Sequence, residues 1–285
     1  MYKILSKEKL APVITRMSVN APHIAKKVKP GQFIILRVTE EGERIPLTVF
    51  AADPAAGTIT IIYQIAGKTT THLDTLEPGD TLASVTGPLG NATHIEKLGT
   101  VVSISGGVGT AIGYPVTKAF KEAGNHVIAI LGARSADLLL LEDDMRAASS
   151  ELLICTDDGS KGLHGFVSTQ LQLLIDDPAI NIDLVVAIGP LPMMRAIANQ
   201  TKPHGIKTIV SLDSIMIDGT GMCGGCRVEV GGQSKFACVD GPEFDAHEVD
   251  WETLAHRKQI FREEEQLSKE RFEHQCRLGQ KQGGK

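Results

Sequence analysis

Apolar positions change their spacing near residue 98, and that change divides the chain. Before it they fall in short runs, at 11–19, 32–38, 45–50, 57–65 and 80–87, separated by Pro-Gly, Glu-Gly or Ala-Gly signals. Many short strands at such intervals predict an antiparallel β-barrel or sandwich. After Leu98 the runs become continuous, at 100–105, 126–134, 151–159, 183–190 and 207–212, with helical stretches between them. Such strands suit a parallel sheet buried on both faces by helices, with its ligands at the strands' carboxyl ends. A further helix is expected from Trp251 to about Leu267, with Trp251, Leu254, Ala255, Phe261 and Leu267 partly aligned. The charged remainder to Lys285 reads as a solvated tail or an arm laid on a partner. The domains expected are a barrel at 1–96, an α/β domain at 97–212, a small segment at 213–245, and a C-terminal helix and tail at 246–285.

Glycines sit where this pattern places ligands. The strand at 100–105 runs into Gly106-Gly107-Val108-Gly109-Thr110 and then a helix, the context in which missing side chains let a dinucleotide's phosphates approach a helix N-terminus. Arg134, at the next strand end, suits a ribose or its 2′-phosphate, or an ion pair at the surface. Asp157 and Asp158 suit a ribose hydroxyl or the cap of a turn. In the first half, Ala66-Gly67-Lys68-Thr69-Thr70-Thr71 offers hydroxyls and free N–H groups; if a helix begins there, its N-terminus suits a pyrophosphate. His72 and His164 stand alone and are given no catalytic duty.

The densest chemistry is Asp218-Gly-Thr-Gly-Met-Cys223-Gly-Gly-Cys226, followed after eleven residues by Cys238. The plant-type iron–sulfur spacing is C-x4-C-x2-C with a distant fourth cysteine. Here Asp218 takes the first position, and a carboxylate keeps the ligand's charge while changing its softness. A 2Fe-2S cluster held by Asp218, Cys223, Cys226 and Cys238 follows. A structural zinc site is the competing reading, although zinc usually takes paired knuckles or a Cys/His set.

Composition narrows the setting. With 285 residues, the chain has room for two domains and an appendage, and its net charge of −5 gives no reason to expect nucleic acid. No signal peptide or membrane-spanning run is evident, so a cytoplasmic protein is expected. Five cysteines, three of them within sixteen residues, fit metal binding in a reducing compartment better than disulfides. Cys155 reads as a buried strand residue, and Cys276 has no evident role.

In combination these features resemble the ferredoxin-NADP reductase superfamily. The similar branch holds the electron-transfer subunit of dihydroorotate dehydrogenase, the β subunit of sulfide dehydrogenase and the small subunit of NADH-dependent reduced ferredoxin:NADP+ oxidoreductase. In that branch the barrel binds FAD through an R-x-P-[IL]-[ST] strand and a G-K-x-T loop, matched by Arg44-Ile45-Pro46-Leu47-Thr48 and Gly67-Lys68-Thr69-Thr70; Tyr63 is assigned to the same site. Its nicotinamide-nucleotide loop is matched by Gly106, Gly107, Gly109 and Thr110, and its G-P-x-x-M-M turn by Gly189, Pro190, Met193 and Met194, with Arg134 and Asp157 beside them. Aspartate at the first cluster position is similar to the sulfide dehydrogenase and transhydrogenase subunits.

The resemblance implies an oxidoreductase subunit that exchanges hydride between NAD(H) and FAD and passes electrons through the 2Fe-2S cluster, with NADP(H) an open alternative. It also implies a larger flavin and iron–sulfur subunit as partner, in a heterodimer or larger assembly, and ferredoxin as partner of the complex. The alternatives left open are the dihydroorotate and sulfide dehydrogenase subunits, and a zinc-stabilised nucleotide-binding module without redox activity.

Overall fold

The computed structural model describes residues 2–282, with the side chains of residues 273 and 275–282 outside that description. Cys276, whose role the sequence leaves open, is among those side chains.

The first half is a seven-stranded antiparallel sheet built from β1 (Tyr2–Ala11), β2 (Ile14–Asn20), β3 (Phe33–Arg37), β4 (Arg44–Asp53), β5 (Thr58–Gln64), β6 (Thr81–Leu82) and β7 (Ser84–Leu89). Its order is β6-β1-β2-β5-β4-β3-β7, and it curls into a nearly closed barrel. Alternation drives the closure. Met17, Val19, Ile34, Leu36, Val49, Ile59 and Ile61 point to one buried interior, while the intervening positions face outward. Two short helices attach to it, α1 (Pro22–Ala25) and α2 (Lys68–Leu73).

The second sheet also has seven strands, ordered β11-β10-β9-β8-β12-β13-β16. Five are parallel neighbours around a central strand: β8 (Thr100–Gly106), β9 (His126–Ala133), β10 (Glu151–Thr156), β12 (Leu184–Ile188) and β13 (Thr208–Ser211). β11 (Leu163–His164) extends one edge, and β16 (Glu243–Asp245) closes the other antiparallel to β13. The helices α3 (Gly109–Glu122), α4 (Glu142–Ala148), α5 (Val167–Asp176) and α6 (Leu191–Thr201) connect the strands. Between β13 and β16 lie the cluster loop and a hairpin, β14 (Arg227–Val230) with β15 (Gln233–Phe236).

The C-terminal stretch differs from the expected tail. After α7 (Trp251–Arg257), the chain turns and forms α8 (Arg262–Gln282). Glu263, Glu264 and Glu265 occupy its first turn, where carboxylates oppose the helix dipole favourably, and good helix formers follow. The helix lies against α2, with the Phe272 ring centred 5.3 Å from that of His72.

Candidate functional site: strand β4 between a nucleotide cleft and a cysteine loop

Strand β4 is the centre of the arrangement. Register pairs Phe33 with Thr48, Ile34 with Leu47 and Ile35 with Pro46. Leu47 packs toward the barrel interior. Alternation therefore turns Pro46 and Thr48 to the outer face, beside Phe33 and Ile35, which belong to the core shared with the second sheet. Arg44, at the head of the strand, is exposed.

Helix α2 stands beyond the end of β5. Thr70 Oγ1 accepts from the N–H groups of Ala66 and Gly67, so the turn before the helix is already satisfied. The first-turn amides of Lys68 and Thr69 have no acceptor within the helix. A Cβ on Gly67 would meet nothing within 4 Å, so the approach to these amides is open. A carboxylate stands beside the turn, bound by side chains: Thr69 Oγ1 donates to Glu43, and Lys68 Nζ lies 3.6 Å from it. Tyr63 is elsewhere. It is buried in the barrel interior and its hydroxyl donates to Asp74, so the structure does not bring it to this open face. Burial, with the Asp74 carboxylate next to it, pushes its phenol well above the ordinary range.

The glycine turn opens into a cleft of about 530 Å³ lined by Gly106, Gly107, Arg134, Asp157, Pro190 and Met193, among others. That volume is within the range of small-molecule sites. Gly107 has φ +57° and open space where a Cβ would stand. Gly109 serves packing: a Cβ there would lie 2.5 Å from the Ile188 carbonyl oxygen and 2.9 Å from Gly189 Cα. Thr110 is buried, its N–H donating to the Gly107 carbonyl, and Met193 packs against Gly106 and Gly189. The two aspartates divide the roles left open above. Asp158 accepts from the Ser160 hydroxyl and amide, which hold its carboxyl below the usual range, while Asp157 lines the cleft. The sequence reading missed Phe166, an aromatic ring 65 % exposed on the cleft wall. Its only sequence signal is an aromatic residue after Gly165, which by itself points nowhere.

The cysteine loop packs against the other side of the barrel. Cys226 and Cys238 are buried, free, and 3.2 Å apart at Sγ. Two sulfurs bound at about 2.3 Å to one tetrahedral metal ion would be about 3.8 Å apart, so this pair is nearly pre-set to share one ion. Burial, with Cys226 beside it, pushes the Cys238 thiol up to about 12, so a thiolate here needs a bound cation. The Cys238 N–H points at Cys226 Sγ and the Gly225 N–H at Cys223 Sγ, at 3.4 and 3.5 Å. Asp218 opens the loop and organises its first turn. Its carboxylate accepts from the N–H groups of Thr220 at 2.8 Å and Cys223 at 3.0 Å; the Thr220 bond leads in holding its pKa low.

Among the described residues, no three of His, Cys, Asp or Glu converge on one point. A single zinc ion needs four ligands around one centre, whereas a two-iron cluster needs two pairs set apart. Here the Cys226 and Cys238 sulfurs stand together, and Asp218 reaches the Cys223 backbone within the same loop. Cys155, as expected, is a buried strand residue, its thiol raised to about 11 by burial and then by Asp157. No described helix is long and apolar enough to cross a membrane.

Two segments of the chain match known domain families. Residues 1–94 match the oxidoreductase FAD-binding domain, and residues 213–250 match the iron–sulfur cluster binding domain of dihydroorotate dehydrogenase B. A dihydroorotate dehydrogenase B (NAD(+)) electron transfer subunit homolog of Thermotoga maritima is 45% identical over 272 residues, which cover 95% of each chain. The corresponding electron transfer subunit of Geobacillus thermodenitrificans is 31% identical, covering 86% of this chain and 96% of its own. Among solved structures, a chain from the NADH-dependent reduced ferredoxin-NADP oxidoreductase, studied for flavin-based electron bifurcation, superposes with a TM-score of 0.90 at 44% identity, covering 95% of this chain and 98% of that one.

Proposed function

Because the chain belongs to the family of dihydroorotate dehydrogenase B electron transfer subunits, we propose that it takes hydride from NAD(H) at an FAD on the barrel and passes electrons through a 2Fe-2S cluster to a larger flavin and iron–sulfur subunit. The complex would be of the ferredoxin:NADP oxidoreductase kind, with ferredoxin as its partner. One observation carries this reading: β4 lies between the nucleotide cleft and the cluster loop. On one side α3 packs on β4, with the Phe50 and Tyr114 rings stacked 4.6 Å apart. On the other, β3 alone separates β4 from the loop, since Gly219 lies against Ile35.

The residues then take distinct roles. Pro46 and Thr48 present the outer face of β4 to the flavin ring, and Leu47 anchors the strand. Arg44, the Lys68 and Thr69 amides, the Thr70 turn and the open space at Gly67 hold the pyrophosphate. Gly106, Gly107, Pro190 and Met193 shape the cleft around the nicotinamide nucleotide, with Arg134 and Asp157 toward its ribose. Gly109, Thr110 and Gly189 fix the turn that presents them. Asp218 and Cys223 hold one iron, Cys226 and Cys238 the other. Bound FAD accepts a two-electron hydride and releases electrons singly, and no side chain need act as acid or base. Ile217, Met222 and Val239 leave an apolar face around the cluster ligands, which suits a docking subunit.

Anaerobic purification tests this reading. Flavin and iron–sulfur absorption bands, FAD as the released flavin, and bleaching of both chromophores by NADH are expected. Colourless, zinc-loaded protein would overturn it. The TM-score of 0.90 at 44% identity with a chain of the NADH-dependent reduced ferredoxin-NADP oxidoreductase, against 31% identity with the dihydroorotate dehydrogenase subunit of Geobacillus thermodenitrificans, supports the ferredoxin-linked complex. A co-purifying subunit that oxidises dihydroorotate would reverse that choice.

A further inference from the structure

We propose that the contact between Gly219 and the barrel residues Ile35 and Leu89 sets how closely the iron–sulfur loop approaches the flavin strand, so that Ile35 and Leu89 are positioning residues for electron transfer. The proposal rests on the flavin and cluster assignments above.

Gly219 follows the ligand Asp218 directly and has φ +75°. A Cβ built on it would be 2.7 Å from Leu89 Cδ1 and 2.8 Å from Ile35 Cδ1, so backbone and barrel side chains meet with no space for a methyl group. Those two side chains begin rows that cross the barrel. Leu89 pairs with Phe33, which pairs with Thr48, and Ile35 pairs with Pro46. The loop therefore rests on the strand next to β4, and neighbouring strands are separated by only about 4.8 Å. The side chain between them is Ile35, which is apolar and 3 % exposed.

The second half of the loop is held by the same barrel edge. Two residues beyond Leu89, the Asn91 N–H donates to the Gly241 carbonyl at 2.6 Å and Asn91 Nδ2 to the Val239 carbonyl at 3.2 Å, immediately after Cys238. Thr93 Oγ1 donates to Glu243 at 2.6 Å. Both ligand pairs are thus fastened to the end of β7 and its exit, independently of the nucleotide cleft. Electron transfer weakens steeply with separation, so a contact that fixes the separation governs its rate. In the cofactor-loaded protein, hydride from NADH would supply two electrons to the flavin, and each passage to the cluster would move one of them and reduce one ferric iron to ferrous.

Two variants of the full-length, cofactor-loaded protein test this. Gly219→Ala forces the loop off the barrel, and Leu89→Phe adds bulk beneath it while leaving the loop sequence intact. Both should keep wild-type flavin, iron and sulfide, and NADH should bleach the flavin at an unchanged rate. Cluster reduction should be several-fold slower, and magnetic coupling between the flavin radical and the reduced cluster should weaken in electron paramagnetic resonance. Because Gly219 has φ +75°, an alanine there is also strained in its backbone, so Leu89→Phe, whose loop sequence is intact, separates displacement by bulk from strain within the loop. Wild-type transfer and coupling in either loaded single variant would overturn the proposal. Cluster loss in both would also overturn it, assigning the contact to cluster assembly. Wild-type protein lacking flavin or iron would instead defeat the underlying functional reading.

Discussion

Asp218 shows how one side chain can organise a turn and still serve as an anionic ligand. Its two oxygens accept from Thr220 and Cys223, yet a carboxylate has about four lone-pair sites, which leaves capacity to bind iron. Asp218→Asn retains one acceptor oxygen but removes the anion, so iron and sulfide content should fall, whereas Asp218→Cys should keep a cluster with a shifted potential. A wild-type resonance signal at full occupancy in the Asn variant would reduce Asp218 to a turn residue. Phe166 supports a second expectation. An aromatic ring exposed on the cleft wall offers a stacking surface for a base, so Phe166→Ala should weaken NADH binding about 5-fold, taking stacking as about 1 kcal/mol, without changing flavin content. Equilibrium titration with NADH checks this, and unchanged affinity would remove the ring from the site. The cysteines and the glycine turn were legible in the sequence because their chemistry is local. Phe166 was not, because it reaches the glycine turn only through the arrangement of β8 and α5.

Among the elements, β1 escaped the sequence reading because its alternation is masked by charge. In Tyr2–Ala11 only Ile4 is fully buried, and the strand is fastened through Lys7 and Lys9 to Glu77 and Asp74 near the end of α2. The α2 start was legible from its threonines, but the carboxylate facing it was not, since Glu43 belongs to the approach to β4. A pyrophosphate at those amides would come close to the Glu43 carboxylate, which the Thr69 hydroxyl and Lys68 Nζ hold beside the turn, and like charges repel. Glu43→Gln should therefore slow flavin loss during gel filtration; faster loss would show that the carboxylate helps to order the site. Glu243 supports a pH expectation. Burial raises its pKa, only partly offset by the Thr93 hydrogen bond. A carboxyl with a raised folded pKa contributes stability that is present below its unfolded pKa, near 4.3, and lost as pH rises through the folded value. Glu243→Gln keeps an acceptor for Thr93 and removes that loss, so its Tm should exceed the wild-type value at pH 7 and converge toward it near pH 4. An equal offset at both pH values would dismiss the titration.

At the scale of the molecule, the sequence revealed separate parts but not their fusion. One buried cluster joins Phe33 and Ile35 of the barrel, Val102, Ile104 and Val185 of the parallel sheet, and Met216, Cys226, Cys238 and Trp251 of the C-terminal segments. Periodicity assigns each of these to an apolar face, but it cannot say that three faces meet, because the contacts are between residues far apart in the chain. β16 makes the fusion tighter by completing the parallel sheet beyond the cluster loop. A core shared in this way predicts that the parts unfold together. The chain has a single tryptophan, Trp251, 7 % exposed, whose indole N–H donates to the Ala246 carbonyl, so its fluorescence reports on the C-terminal side of the core. Flavin fluorescence reports on the barrel, and far-ultraviolet circular dichroism on the whole. In urea the three signals should change at one midpoint. Ile35→Ala, which deletes a buried side chain from the shared core, should lower that midpoint for all three together by a stability loss of about 2–5 kcal/mol. A variant in which the flavin signal moves while the Trp251 signal stays at the wild-type midpoint would show that the barrel unfolds alone and that the shared cluster does not couple the parts.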